Sequence, residues 1–402
     1  MSNLGDGLRL VALPLLALDI TTDPLLIAGV TAVNFAPWIV VGPISGAVVD
    51  RVDRRRLLIA VQLLRGIVAG VFAISVMMDA VSIWSLYAVA VVIAIGETLA
   101  DSAAQAAIPY LAEPHNFERA NGRMVSAEIV TNEVAGGPLG GLLFAAAAFV
   151  PFAADAGTYL AAVVFVMLVT TDLGPDPSAT PRPDTRRIHH DIMEGFGFVF
   201  GHPILRPLTF ATALVNLGGG AVSAILVLFA VDTIGLSEVG FGFLLGLGAV
   251  GGLGGAVAAP RLVGAAGRYA TIVGTAVIVA SASIALAAVD TGVTLAAVWF
   301  VISAATATSN VVTRSLRQAA TPDRLLGRMV TSIRLVGLGA IPVGAVLSGL
   351  VAREAGIRTP FVLGGGIIGA AAVVLALLLD RTALQELASR SPDPTLPQAP
   401  DL

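Results

Sequence analysis

Long apolar runs separated by short polar or charged turns set the pattern of this chain. They fall at residues 4–20, 25–49, 57–78, 83–108, 123–148 and 152–171, and again at 205–231, 239–260, 270–289, 294–312, 329–351 and 360–379. A helix crosses a bilayer with ~20 apolar residues. The runs therefore predict an all-α membrane protein of twelve transmembrane helices in two six-helix groups. Between the groups lies DLGPDPSATPRPDTRRIHHD and its continuation, proline-rich, charged and too polar to span. The expected organisation is an N-terminal bundle over 1–171, a cytoplasmic linker over 172–203, a C-terminal bundle over 204–380 and a disordered tail over 381–402.

Charge placement orients this layer. Arginines at 51, 54, 55, 56, 119, 123, 182, 186, 187, 261, 268, 314, 317, 324, 328, 381 and 390 share one side, while only Arg353 and Arg358 fall on the other. The opposite turns carry Asp19, Asp23, Asp79, Asp232, Glu238 and Asp290. By the positive-inside rule the arginine side is cytoplasmic, with both termini on it, in a multi-pass inner-membrane protein. Composition agrees: 56% hydrophobic and 12% charged residues exclude an ordinary soluble domain. The chain has no cysteine, which excludes disulfides, thiolate metal sites and thiol catalysis. The glycine-rich stretch 246–255 lies in an apolar run and lacks the lysine of a nucleotide loop. No cleavable signal, metal, cofactor, nucleic-acid partner or enzymatic role is expected.

An internal repeat relates the two halves. GRMVS at 122–126 returns as GRMVTS at 327–332, and Gln105-Ala106-Ala107 as Gln318-Ala319-Ala320. Spans 4 and 5 thus reappear as 10 and 11, as in parallel six-helix repeats around a midplane cavity.

The densest break in hydrophobicity is GPISGAVVDRVDRRR at 42–56. Gly42 and Gly46 are small positions four apart on one helix face, and Asp50 begins the charged end. This string resembles the loop between helices 2 and 3 of the major facilitator superfamily, with Gly46, Asp50, Arg51, Arg54 and Arg55 at the motif positions. Asp53 stands where that motif usually has glycine, which leaves the tightness of the turn open. Together with GDGLRLVALPLLALDI, ETLADSAAQAAIP, ERANGRMVSAEIVTNEVAGGPLGG and RQAATPDRLLGRMVTSIRL, the chain resembles the bacterial drug- and siderophore-exporter branch. That branch contains macrolide efflux proteins and enterobactin exporters. Its members carry a longer stretch before the GDGL-like string, which implies that span 1 starts short here. The resemblance implies a monomeric secondary transporter with two pseudo-symmetric bundles, moving amphipathic small molecules by alternating access, with protons as the coupling ion. Siderophore or metabolite export with other coupling, and a non-transporting receptor, stand as alternatives.

An ionisable residue inside a span costs roughly 2.5–3.5 kcal/mol on the insertion scale, so each needs a partner or water. Asp6 and Arg9 lie three apart in span 1, either as a structural pair or in the cavity. Glu97, one turn from Asp101 on span 4, is expected to line the cavity. The resemblance implies that Arg54 pairs with Asp101 and that Asp50 faces the start of span 11 near Arg328, as a gate or a static anchor. Glu133 lies mid-span before Gly136-Gly137-Pro138-Leu139-Gly140-Gly141, a string resembling the helix-5 motif of drug–proton antiporters. It is a candidate for proton coupling or for a hydrogen bond between helices. Arg334, the deepest cation of the second half, is expected to meet an anionic substrate or an acid, and Asn34, Asn132, Asn216 and Trp38 to add polar and aromatic contacts or core packing.

Overall fold

The computed structural model describes residues 2–111, 116–169, 185–382 and 384. Its helices are α1 (Ser2–Ile20), α2 (Pro24–Val40), α3 (Gly42–Arg51), α4 (Arg54–Met77), α5 (Ile83–Leu111), α6 (Phe117–Glu128), α7 (Gly136–Ala146), α8 (Val150–Leu168), α9 (Thr185–Gly201), α10 (Leu205–Leu228), α11 (Glu238–Leu286), α12 (Gly292–Ala319), α13 (Leu326–Ala355) and α14 (Thr359–Leu378). A π-helical turn, Ile129–Ala135, joins α6 to α7. Among the described residues, nine helical stretches are long and apolar enough to cross a membrane. One of them, α11, breaks at Gly267, whose φ of 81° is a conformation that only glycine adopts without strain, so it is two spans. The charged α1 and the α2–α3 pair complete twelve transmembrane helices in two six-helix bundles.

Local chemistry accounts for where helices start. Asp23 accepts a hydrogen bond from the Leu25 amide at 3.0 Å, with Pro24 at the first helical position, and so starts α2. Asp53 does the same for α4, accepting from the Arg56 amide at 2.9 Å. The aspartate that replaces the usual glycine is thus an N-cap, which closes the question its sequence position left open. Asp53→Ala is expected to lower stability by about 1 kcal/mol, and Asp53→Gly by only a few tenths. Thermal unfolding of the detergent-solubilised chain checks the ranking; equal losses would deny the cap.

The halves are joined unequally along their length. At the end bearing the turns near Asp79 and Asp290, one apolar core draws Leu13, Ile27, Leu86 and Phe152 from the first half and Leu228, Phe241, Leu286 and Phe361 from the second. Edge-to-face pairs reinforce it, Phe72 on Phe152 at 5.0 Å and Phe229 on Phe361 at 4.8 Å. Toward the arginine-rich end the cores separate. Val49, Leu58, Val61, Ala100 and Ala103 cluster within the first half, and Leu208, Ile272, Leu316 and Leu375 within the second. Among the described residues, no buried apolar cluster joins the halves toward the 42–56 stretch.

One element lies where the sequence suggested only a connector. Residues 172–184 of that connector lie outside the described residues, but 185–201 form α9. This helix packs on α13: Glu194 pairs with Arg328, and Gly195 lies against the Arg328 carbonyl and Ser332. The tail from 385 onward, expected to be disordered, lies outside the described residues.

Candidate functional site

Three carboxyls and two guanidiniums from α1, α4, α5 and α8 meet inside the first half. Arg9 donates to Asp6 at 3.0 Å, to Glu97 at 2.9 Å and to Asn34 at 3.2 Å. Arg65 reaches Asp6 at 2.5 Å and Glu97 at 3.7 Å, and its guanidinium lies 4.2 Å from the centre of the Tyr159 ring. The Tyr159 hydroxyl also donates to Asp6, at 2.7 Å, so one carboxylate oxygen serves three donors. Asp155 is fully buried, 3.8 Å from Arg9 Nε, and among the described residues neither of its oxygens has a partner at hydrogen-bond distance and angle. Three carboxyls thus face two guanidiniums. The GDG string explains how α1 fits so closely: Gly5 abuts Asp155 and Thr158 of α8, and Gly7 abuts the Asn132 backbone. Arg65 and Asp155 were absent from the sequence expectation. Each is one charge within a long apolar run, and listing every ionisable residue in a span would have found them.

One cavity adjoins this cluster, and a second, larger one adjoins the first. The smaller, about 310 Å³, is bordered by Asp6, Arg9 and Glu97 on one side and by Trp38 and Arg334 on the other. The larger, about 490 Å³, lies between the halves among apolar side chains with Asn132, Asn216, Trp299 and Asn310. Asn132 borders both, on the π-helical turn of span 5. Such turns widen a helix locally and recur at functional sites. Glu133 belongs to the same turn, and its side chain lies outside the described residues.

The string Gly136-Gly137-Pro138-Leu139-Gly140-Gly141 presents two faces. Gly136 lies against Gly7, and Gly140 against the Leu8 carbonyl and Val11, all on α1. Gly137 lies against Gly242 and Gly246, and Gly141 against Glu238 and Gly242, all on α11 in the other half. Pro138 fills the position over Gly246. Small residues let two backbones approach where side chains would hold them apart.

At the arginine-rich end, the motif residues are spread over several surfaces. Gly46 is exposed, and a side chain added there would meet nothing within 4 Å among the described residues. Arg51 is exposed at the end of α3, and the Asp50 side chain lies outside the described residues. Arg55 donates to the Met167 carbonyl at the end of α8, at 2.5 Å. Arg328 pairs with Glu194 of α9. The expected pair of Arg54 with Asp101 is not formed: among the described residues no ion pair links them, and Arg54 is buried with its guanidinium 4.8 Å from the Tyr110 ring centre. Helical rise is the reason. Asp101 lies nine residues from Tyr110 on α5, about 13 Å along the axis.

Comparison with known proteins fits this architecture. An uncharacterised MFS-type transporter, y4rN of Sinorhizobium fredii, is 26% identical over 382 residues, 91% of this chain and 89% of its own length. Among solved structures, a bacterial homologue of the iron transporter ferroportin in its inward-facing state superposes with a TM-score of 0.71 at 18% identity, covering 93% of this chain and 95% of its own. A bacterial homologue of the human lysosomal transporter Spinster, inward-facing and unoccupied, gives a TM-score of 0.67 at 16% identity, over 97% and 94%. The transmembrane secretion effector family, MFS_3, matches residues 1–400, and the chain belongs to that family of major facilitator transporters.

Proposed function

We propose that this protein is a proton-coupled exporter of amphipathic small molecules, working as a monomer by alternating access in the inner membrane with both termini cytoplasmic. The observation that carries this reading is the buried cluster in which three carboxyls face two guanidiniums and, among the described residues, Asp155 has no hydrogen bond. One proton balances that set. Asp155 takes it, facing Arg9 and Asp6 of α1, Arg65 of α4, Glu97 of α5 and Tyr159 of its own helix. Glu97 borders the 310 Å³ cavity and links the cluster to water. Glu133, on the adjoining turn, is a second acid for the same relay.

The helix contacts connect this proton to the movement of the halves. Its arrival changes how the cluster holds α1, α1 lies against one face of the span 5 glycine string, and the other face of that string holds α11. Protonation thereby biases the contact between halves, the requirement for a ligand to shift a two-state equilibrium. The arginines support reading the end where the two apolar cores are separate as cytoplasmic, and the similar ferroportin and Spinster homologues are inward-facing. Gly46, Asp50, Arg51, Arg54, Arg55, Asp101 and Arg328 then serve the gate that closes this end in the opposite state.

Asp155→Asn tests the coupling. In proteoliposomes loaded with ethidium or 1-naphthoate, the variant is expected to fold and bind the transported probe as the parent does, while its flux no longer responds to a pH gradient. An unchanged response would remove Asp155 from the mechanism.

A further inference from the structure

We propose that Arg334 and Trp38 form a binding site for the acidic group of an amphipathic organic anion, a carboxylate or sulfonate attached to an apolar or aromatic body. The proposal rests on the transport reading and names the class of its substrate. Arg334 is exposed to the cavity on α13, eight residues past the helix start, or about 12 Å. A cation at that depth is costly without a partner. Among the described residues it makes no hydrogen bond and no ion pair; its one contact of this kind is with the Trp38 ring, 5.5 Å from the guanidinium carbon to the ring centre.

The carboxylates across the cavity are already engaged. Asp6 accepts from Arg9, Arg65 and Tyr159, and Glu97 from Arg9. Arg334 is therefore the cation of this cavity wall that remains open to a mobile partner. A guanidinium over an aromatic face keeps the N–H donors at its edge, in the planar fork that matches a carboxylate or sulfonate.

The surroundings supply the rest of a ligand site. A volume of about 310 Å³ is within the range of small-molecule pockets. Phe35 and Leu338 give it apolar walls, and Asn34 and Thr31 give it neutral polar groups. Through Leu10 and Asn132 it adjoins the larger, mainly apolar cavity between the halves, which takes the ligand's body. Arg334, Trp38 and Leu338 also border a smaller recess with Ser45, Ser102 and Thr331, leading toward the arginine-rich end. An anion entering there meets Arg334 before the carboxyls of the cluster beyond it.

The test uses the full chain in detergent and three probes of one shape: 1-naphthoate, the neutral 1-naphthamide and the cationic 1-naphthylmethylammonium, titrated calorimetrically against a detergent blank. Saturable binding of naphthoate is expected, tighter than that of the amide or the cation. Arg334→Gln is expected to weaken naphthoate at least about tenfold, the size of a lost charge-assisted hydrogen bond. The same variant should leave naphthamide unchanged and unfold at the parent temperature, and Arg334→Lys should recover part of the loss. Naphthoate binding no better than naphthamide in the parent, or equal in Arg334→Gln, overturns the site. A variant that changes only which side of the membrane reaches the cavity, with the naphthoate-to-naphthamide ratio intact, also overturns it by making Arg334 a gate residue. Flux read separately in proteoliposomes distinguishes the two readings: charge-selective binding without flux leaves this site standing and refutes transport, while flux without charge selectivity does the reverse.

Discussion

Asp6→Ala is expected to destabilise the first half by about 3–5 kcal/mol, the loss seen when one member of a buried charge set is removed. Two physical accounts predict opposite signs here. Counting charges, the substitution leaves two carboxyls and two guanidiniums, a neutral set that should be easier to bury. Counting hydrogen bonds, it takes away the oxygen that accepts from Arg9, Arg65 and Tyr159 together. Hydrogen bonds to charged groups contribute about 1.5–3 kcal/mol each, so the donors outweigh the neutrality. Asp155 offers partial relief, because its Oδ2 lies 3.8 Å from Arg9 Nε and Tyr159 stands one turn along the same helix. Asp6→Ala should thus cost more in an Asp155→Asn background than alone, a coupling that a double-mutant cycle measures. Thermal unfolding of all four proteins in detergent reads both quantities. Unfolding of Asp6→Ala at or above the parent temperature would show that charge balance decides.

The fold was legible because a membrane span writes itself along the chain, as a run of fixed length with charge at one end. The cluster was only half legible, and the reason is geometric. Asp6 and Arg9 are three residues apart and visible as a pair, whereas Arg65 and Tyr159 join Asp6 across 59 and 153 residues. No periodicity along one helix tells which other helices lie beside it. The Arg54–Asp101 pair is absent from this conformation among the described residues, and a motif does not name the height at which its residues stand on a neighbouring helix. Asp53 ran the other way: it looked like a defect in a turn and is a helix cap. Helix α9 went unread because the prolines before it dominated the stretch, although Thr185–Gly201 itself contains none. The span 5 glycines were read as a packing string, yet only the coordinates divide them between α1 and α11.

That division makes neighbouring glycines do different things. Gly141→Leu is expected to change which end of the transporter is open, while Gly140→Leu is expected to weaken the first half itself. A first side-chain carbon at Gly141 would sit 2.5 Å from the Glu238 carbonyl oxygen and 3.1 Å from Gly242 Cα, both backbone atoms that cannot rotate away. Since α11 belongs to the other half, the clash is relieved by parting the halves, which leaves each bundle intact. At Gly140 the carbon would meet the Leu8 carbonyl at 2.9 Å and Val11 Cβ at 3.1 Å, within one bundle, and relief there means loosening α1 and its charge cluster. The chain has no cysteine, so a thiol placed in the larger cavity by Ser303→Cys reports access without background. Labelling with a membrane-impermeant maleimide from the face opposite the arginines should rise at least about tenfold in Gly141→Leu, a shift of roughly 1.4 kcal/mol in the two-state equilibrium. Gly140→Leu should lower the unfolding temperature without raising that labelling. Equal labelling in the two variants would mean that the glycine string packs the helices without governing which side is open.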